Sequence, residues 1–151
     1  MLQPALEFLC EIRCDLAPAF DCGLTYSGNR RVVDILGGVF TGPTFGGTVR
    51  GGADWQVTRH DGVVELQAQY VLLTDDGVPI QVRNRGLRHG PEEVLRRIAT
   101  GESVDSTEYY CRTTPIFDAP QGKYDWLNQS VFVATAERSA SSIRLDIFSV
   151  A

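Results

Sequence analysis

Apolar residues recur at every second position in several stretches of this chain, and that period points to β-strands with one buried face. In residues 62–74, Leu66, Ala68, Tyr70 and Leu72 fall on one face, while Glu65, Gln67 and Gln69 fall on the other. Residues 6–14 repeat the pattern, with Leu6, Phe8, Cys10, Ile12 and Cys14 opposite Glu7, Glu11 and Arg13. Val78, Ile80 and Val82 continue it, as do Ile143, Leu145 and Ile147. Asp61-Gly62 and Asp75-Asp76-Gly77 each separate two such runs, which predicts antiparallel hairpins. Gly37-Gly38, Gly46-Gly47 and Gly51-Gly52 are expected to break residues 32–58 into short strands, at bends, bulges or close backbone approaches.

Only one segment carries a helical period. Gly90-Pro91-Glu92-Glu93 opens it, with proline in the first helical position and two acids near the positive end of the dipole. Val94, Leu95 and Ile98 form its apolar stripe and Gly101 closes it, so a helix is expected near 90–100. The rest reads as about eight or nine strands. The predicted fold is mainly β: an antiparallel closed or nearly closed β-barrel, which hides its sheet edges, with a β-sandwich as the alternative.

The 151 residues suit a single domain spanning 1–151, with no repeat or linker. A net charge of −5, with the basic residues scattered apart from Arg83, Arg85 and Arg88, argues against a nucleic-acid partner. No apolar run approaches the ~20 residues that would span a bilayer, so no membrane partner is expected. Met1-Leu2-Gln3-Pro4 lacks a basic leader region, and the expected location is cytoplasmic. Cys10 and Cys14 would lie ~13 Å apart along a strand, too far to bridge.

The familiar catalytic patterns are missing. The glycines form neither a dinucleotide fingerprint nor a phosphate loop, and there is no Cys-x-x-Cys and no nucleophile elbow. His60 and His89 have no metal-ligand spacing, so no metal and no cofactor is expected. Three stretches remain. Asp54, in Gly51-Gly52-Ala53-Asp54-Trp55, could act as a general base or ligand acceptor, or could cap backbone amides near a bulge. Tyr124-Asp125-Trp126-Leu127-Asn128 combines aromatic walls with directed polar groups, suiting either a small-molecule pocket or a plug at a barrel end. Arg112, in Tyr109-Tyr110-Cys111-Arg112, could hold a carboxylate or oxyanion, or could pair with a neighbouring acid.

Taken in order, Gly37-Gly38-Val39-Phe40-Thr41-Gly42-Pro43, Gly46, Gly51 to Trp55, Tyr70, Thr74-Asp75-Asp76-Gly77 and Asn84-Arg85-Gly86 form a recognisable series. It closes with Tyr110, Arg112, Pro115, Phe117 and Tyr124 to Asn128. The series resembles the bacterial and fungal domain-of-unknown-function 3237 family from about residue 5 to residue 149. The resemblance implies a one-domain antiparallel β-barrel and is compatible with a homo-oligomer; it implies no settled reaction. Where the family pattern carries Asp-Ala-Arg-Tyr, this chain has Gln67-Ala68-Gln69-Tyr70, and Phe117-Asp118 stands in place of Phe-Glu.

A barrel lumen can hold one ligand in a water-poor space. The sequence therefore supports a small-molecule ligand as partner and, in one reading, a cofactor-independent isomerase, cyclase or lyase acting on a small oxygenated compound. Asp54 would be the base, Arg112 and Tyr124 the donors to an oxyanion, and Trp55, Tyr70, Trp126 and Asn128 the ligand contacts. Asp54, Arg112, Tyr124 and Asn128 are expected to converge at one barrel end beside the two tryptophans. The competing readings are a carrier with the same pocket and a structural, homo-oligomeric domain with a packed lumen.

Overall fold

The computed structural model describes residues 1–151. Nine strands follow one another along the chain: β1 (Leu6–Leu16), β2 (Phe20–Thr25), β3 (Gly28–Thr41), β4 (Gly46–Thr58), β5 (Val64–Thr74), β6 (Pro79–His89), β7 (Tyr110–Asp118), β8 (Val131–Arg138) and β9 (Ser142–Val150). Every pairing is antiparallel, in the order β1-β9-β8-β7-β6-β5-β4-β3-β2, and β1 also pairs with β3. That last pairing closes an eight-stranded barrel. β2 lies outside it, paired with the first half of β3 from Gly28 to Val32.

The long alternating run becomes β5, with Leu66, Tyr70 and Leu72 buried and Gln67 and Gln69 exposed. Hairpin turns follow the Asp-Gly signals, and Gly62 and Gly77 adopt φ of +87° and +85°. Two expectations need correction. The glycine pairs do not divide residues 32–58 into short strands; they lie within β3 and β4, which run 14 and 13 residues and bend around the barrel. A Cβ on Gly38 would stand 1.9 Å from the Arg13 carbonyl oxygen, and one on Gly52 1.9 Å from that of Gln69. Only glycine allows such close backbone approach where strands coil. In β1 the alternation breaks at a bulge between Phe8 and Cys10, so Leu6 and Phe8 face outward while Leu9, Cys10, Ile12 and Cys14 are buried.

The single α-helix, α1 (Glu92–Ala99), buries Val94 and Ile98. Pro91, at φ −55° and ψ 140°, caps the helix rather than occupying its first turn. At the other end Gly101, φ +86°, donates to Ile98 O (3.0 Å) while Glu102 N donates to Arg97 O (3.0 Å), the paired bonds of a Schellman stop. The opposite barrel end is plugged by a 3₁₀ turn, Asp125–Gln129, with Leu127 and Tyr124 buried beside Phe45.

Leu72 is fully buried. Leu72→Ala should therefore cost about 2–5 kcal/mol in chemical denaturation, whereas Gln69→Ala on the outer face should stay within about 0.5 kcal/mol.

Candidate functional site

The bulge at Gly51-Gly52 aims the chemistry. Before it, Val49 pairs with Leu72 and Arg50 with Val71; after it, Ala53 pairs with Gln69 and Asp54 with Ala68. One extra residue on β4 reverses the parity of the strand. Without it, Trp55 would continue the inward face of Val49. With it, Asp54 and Gln56 enter the lumen and Trp55 faces solvent, 54% exposed.

Asp54 lines a partly open cavity with a volume of about 50 Å³ open to the centre of a water molecule. The walls are apolar on the β1, β3 and β9 side, where Cys14, Val33, Ile35 and Leu145 contribute. The polar side is formed by Asp54, Gln56, Tyr70, Asn84, Arg88, Thr113 and Arg138. Four buried polar atoms there have no hydrogen-bond partner: Tyr70 Oη, Asn84 Oδ1, Arg88 Nε and Thr113 Oγ1. The Tyr70 hydroxyl lies near Asn84, but neither group completes a bond. Each unsatisfied buried group costs about 1–3 kcal/mol, so four around one space mark a surface built to meet something polar.

The Asp54 carboxylate accepts from Gln56 Nε2 (2.8 Å) and from the Gln67 backbone N–H (3.0 Å). Burial raises its pKa above the usual carboxylate range, and this outweighs those two bonds and the nearby charges of Arg88 and Arg138. Tyr70 is driven well above an ordinary phenol by burial, so it stays a neutral donor. Burial also pushes the thiols of Cys14 and Cys111 up, to about 12 and about 11, which removes them as nucleophiles. Nowhere do three His, Cys, Asp or Glu side chains come together in a metal-binding group.

Of the residues singled out from sequence, the structure brings Asp54 and Tyr70 to this cavity and leaves the others elsewhere. Arg112 is on the outer face of β7, over the Tyr110 ring at 5.3 Å, with Nη1 donating to Cys111 O (2.8 Å). Tyr124 lies at the plugged end, its hydroxyl donating to Asp76 Oδ1 at 2.7 Å. Asn128 is spent on Ala119, accepting from its N–H (2.8 Å) and donating to its carbonyl (2.9 Å). Trp126 packs near Phe132 and is 40% exposed. The convergence of Asp54 with Arg112, Tyr124 and Asn128 is therefore not found: β7 alternation turns Arg112 outward, and the 3₁₀ turn uses its polar groups to seal the far end. Gln67 and Gln69, the departure from the family pattern, pair with Arg85 and Arg83 and point away from the lumen.

The polar lining that sequence reading passed over had a signal. Asn84 and Arg88 continue the inward register of Ile80 and Val82, Thr113 that of Cys111 and Phe117, and Arg138 that of Ala134 and Ala136. A polar residue at an apolar-face position of a strand was the mark.

These features define a small closed β-barrel with a buried, partly unsatisfied polar lumen. The chain belongs to the family described as "Protein of unknown function (DUF3237)", which matches residues 4–150. It is 36% identical to a UPF0311 protein of Bradyrhizobium diazoefficiens over 99% of both chains. A conserved protein of unknown function from Rhodopseudomonas palustris has the same fold, with a TM-score of 0.94, 36% identity and complete coverage of both chains. A hydroalkoxylation enzyme of Penicillium herquei is 27% identical over 83% of this chain and 69% of its own. No helix is long and apolar enough to cross a membrane.

The plug generates a pH prediction. Hydrogen bonds from Thr74 and then Tyr124 hold the Asp76 carboxyl down to about 2, from an ordinary 3.8. A carboxylate lowered on folding stabilises above its ordinary value and loses that contribution as pH falls toward about 2. Asp76→Asn should lower Tm at pH 7, and the gap to the unmodified protein should close as thermal melts are repeated down to pH 2.

Proposed function

We propose that the lumen binds a small oxygenated organic molecule and performs cofactor-independent acid–base chemistry on it, as an isomerase, cyclase or lyase. The observation that carries this reading is the ring of four unpartnered polar atoms around a cavity that also holds a desolvated carboxylate. Both cost stability, and a polar ligand in the lumen would offset that cost.

A partly buried carboxylate of raised pKa is a better proton acceptor than an ordinary aspartate and can return the proton afterwards. Tyr70, Asn84 and Thr113 offer neutral donors and acceptors that fix an oxygenated ligand beside it. The remote relative named for hydroalkoxylation supports a specific form of the reaction: addition of an O–H across a carbon–carbon double bond. Asp54 takes the hydroxyl proton, the oxygen forms a bond to one alkene carbon, and the other carbon receives a proton. Nothing is oxidised or reduced, and the reverse step is a lyase reaction. A base in the site suits an alkene conjugated to a carbonyl, whose oxygen takes up the developing charge near the cationic side chains.

The test is turnover of unsaturated hydroxy-ketones and hydroxy-enones, followed by NMR in deuterated buffer for ring closure or deuterium incorporation at carbon. Asp54→Asn should slow the reaction about 10²–10⁴-fold, the usual share of a general acid–base group, while leaving the barrel folded by circular dichroism. Undiminished turnover in Asp54→Asn, or none with any compound across the series, would refute the catalytic reading.

A further inference from the structure

One guanidinium in the lumen forms no ion pair. Arg88 is 5% exposed, its Nε has no hydrogen-bond partner, and it forms no salt bridge. Arg138, the last residue of β8, lines the same cavity, and its Nε finds only the Ser139 carbonyl at 3.2 Å. Arg31 stands beside them, with Nη2 donating to Gln56 Oε1 at 3.3 Å. The three are close enough to repel one another. Burial first, then Arg88 and Arg31, lower the pKa of Arg138; burial first, then Arg88, lower that of Arg31.

The counter-charge is small. Asp54 lies within the field of Arg88 and Arg138, yet no arginine nitrogen reaches its oxygens within 4.0 Å. Asp21 acts on Arg31, but its Oδ1 already accepts from Gly23 N–H at 2.8 Å. Two cavity-lining arginines, with Arg31 nearby, thus share one lumen carboxylate. A buried charge without a partner is strongly destabilising, and a stable fold tolerates it where a partner arrives from outside.

All three arginines lie toward the α1 end of the barrel. Arg31 and Arg88 line one surface depression with Leu95 and Arg96 of α1, and Arg31 and Arg138 line another with Ile98 and Gly101. Arg88 and Arg138 also line the cavity, while Arg31 lines only the two depressions; Asp21 lines one of these and Asp61 and Glu92 the other, so arginines outnumber carboxylates in both.

We propose that the natural ligand of the lumen is a small organic acid whose carboxylate docks on Arg88 and Arg138, with Arg31 guiding entry. The proposal rests on the lumen being the ligand site and adds the charge and class of what binds there. A guanidinium presents a planar fork of donors that matches a carboxylate's two oxygens. With its carboxylate at Arg88 and Arg138, the rest of the ligand would lie toward Asp54 and Tyr70, which line the same cavity.

The test compares matched acids and neutral amides, crotonate with crotonamide and benzoate with benzamide, by calorimetric titration of the full chain at pH 7 and low salt. Each acid should bind at least tenfold more tightly than its amide. Arg88→Met and Arg138→Met should each weaken acid binding at least tenfold without changing amide binding. Methionine follows the arginine stem and carries no charge, so Arg88→Met should also raise the Tm of the ligand-free protein. Amides binding as well as acids, or acid binding indifferent to both arginine variants, would overturn the organic-acid assignment and leave the lumen as a neutral-ligand site. No binding by either member of either pair would overturn both readings.

Discussion

Pairing between Glu11–Leu16 of β1 and Ile35–Thr41 of β3 joins the two ends of the sheet, and the rest of the molecule follows from that closure. Once the ladder is closed, every barrel strand has two neighbours and each side chain points either to solvent or to the lumen. Eight strands enclose an interior that side chains nearly fill, so a small change in their size or polarity decides whether the centre is core or cavity. Here the plugged half is filled by Phe40, Leu72, Ile80, Phe117, Phe132 and Leu127. The half toward α1 carries smaller and polar groups and stays open.

Closure also explains the glycines. Strands that coil around a narrow barrel bring backbones into contact, and Gly38 and Gly52 lie where a side chain would meet a neighbouring carbonyl. The bulge that accompanies Gly51-Gly52 has a chemical consequence, because it moves Asp54 from the outer face to the inner one and Trp55 the other way. A single inserted residue therefore separates a solvated aspartate from one held in a water-poor space with raised pKa.

The two barrel ends divide the labour. At the sealed end polar groups are matched pairwise: Tyr124 with Asp76, and Asn128 with both backbone groups of Ala119. In the lumen several are not, and the unmet Tyr70, Asn84, Arg88 and Thr113 atoms lie in the same space. The same residue types thus mean different things at the two ends. Satisfied polar atoms in a small barrel close it, and unsatisfied ones mark where a ligand completes the structure.

Period-two alternation, Asp-Gly turns and one short helical stripe determined the hairpins, α1 and the buried face of β5, because these depend on neighbours a few residues apart. Resemblance to relatives supported the barrel as a whole. Asp54 was legible as a candidate because an acid just after a glycine pair is unusual locally, and Tyr70 because it belongs to the series shared with relatives. Which residues meet them was decided by the fold. Arg88 and Arg138 are fifty residues apart in the chain and belong to strands separated by β7. Tyr124 and Arg112, rich in chemistry by type, were carried to the plug and the outer wall by a 3₁₀ turn and a strand parity that local pattern does not specify. Inward or outward direction after a bulge, and contact between distant strands, are properties of closure and register, and these exist only once the whole barrel has formed.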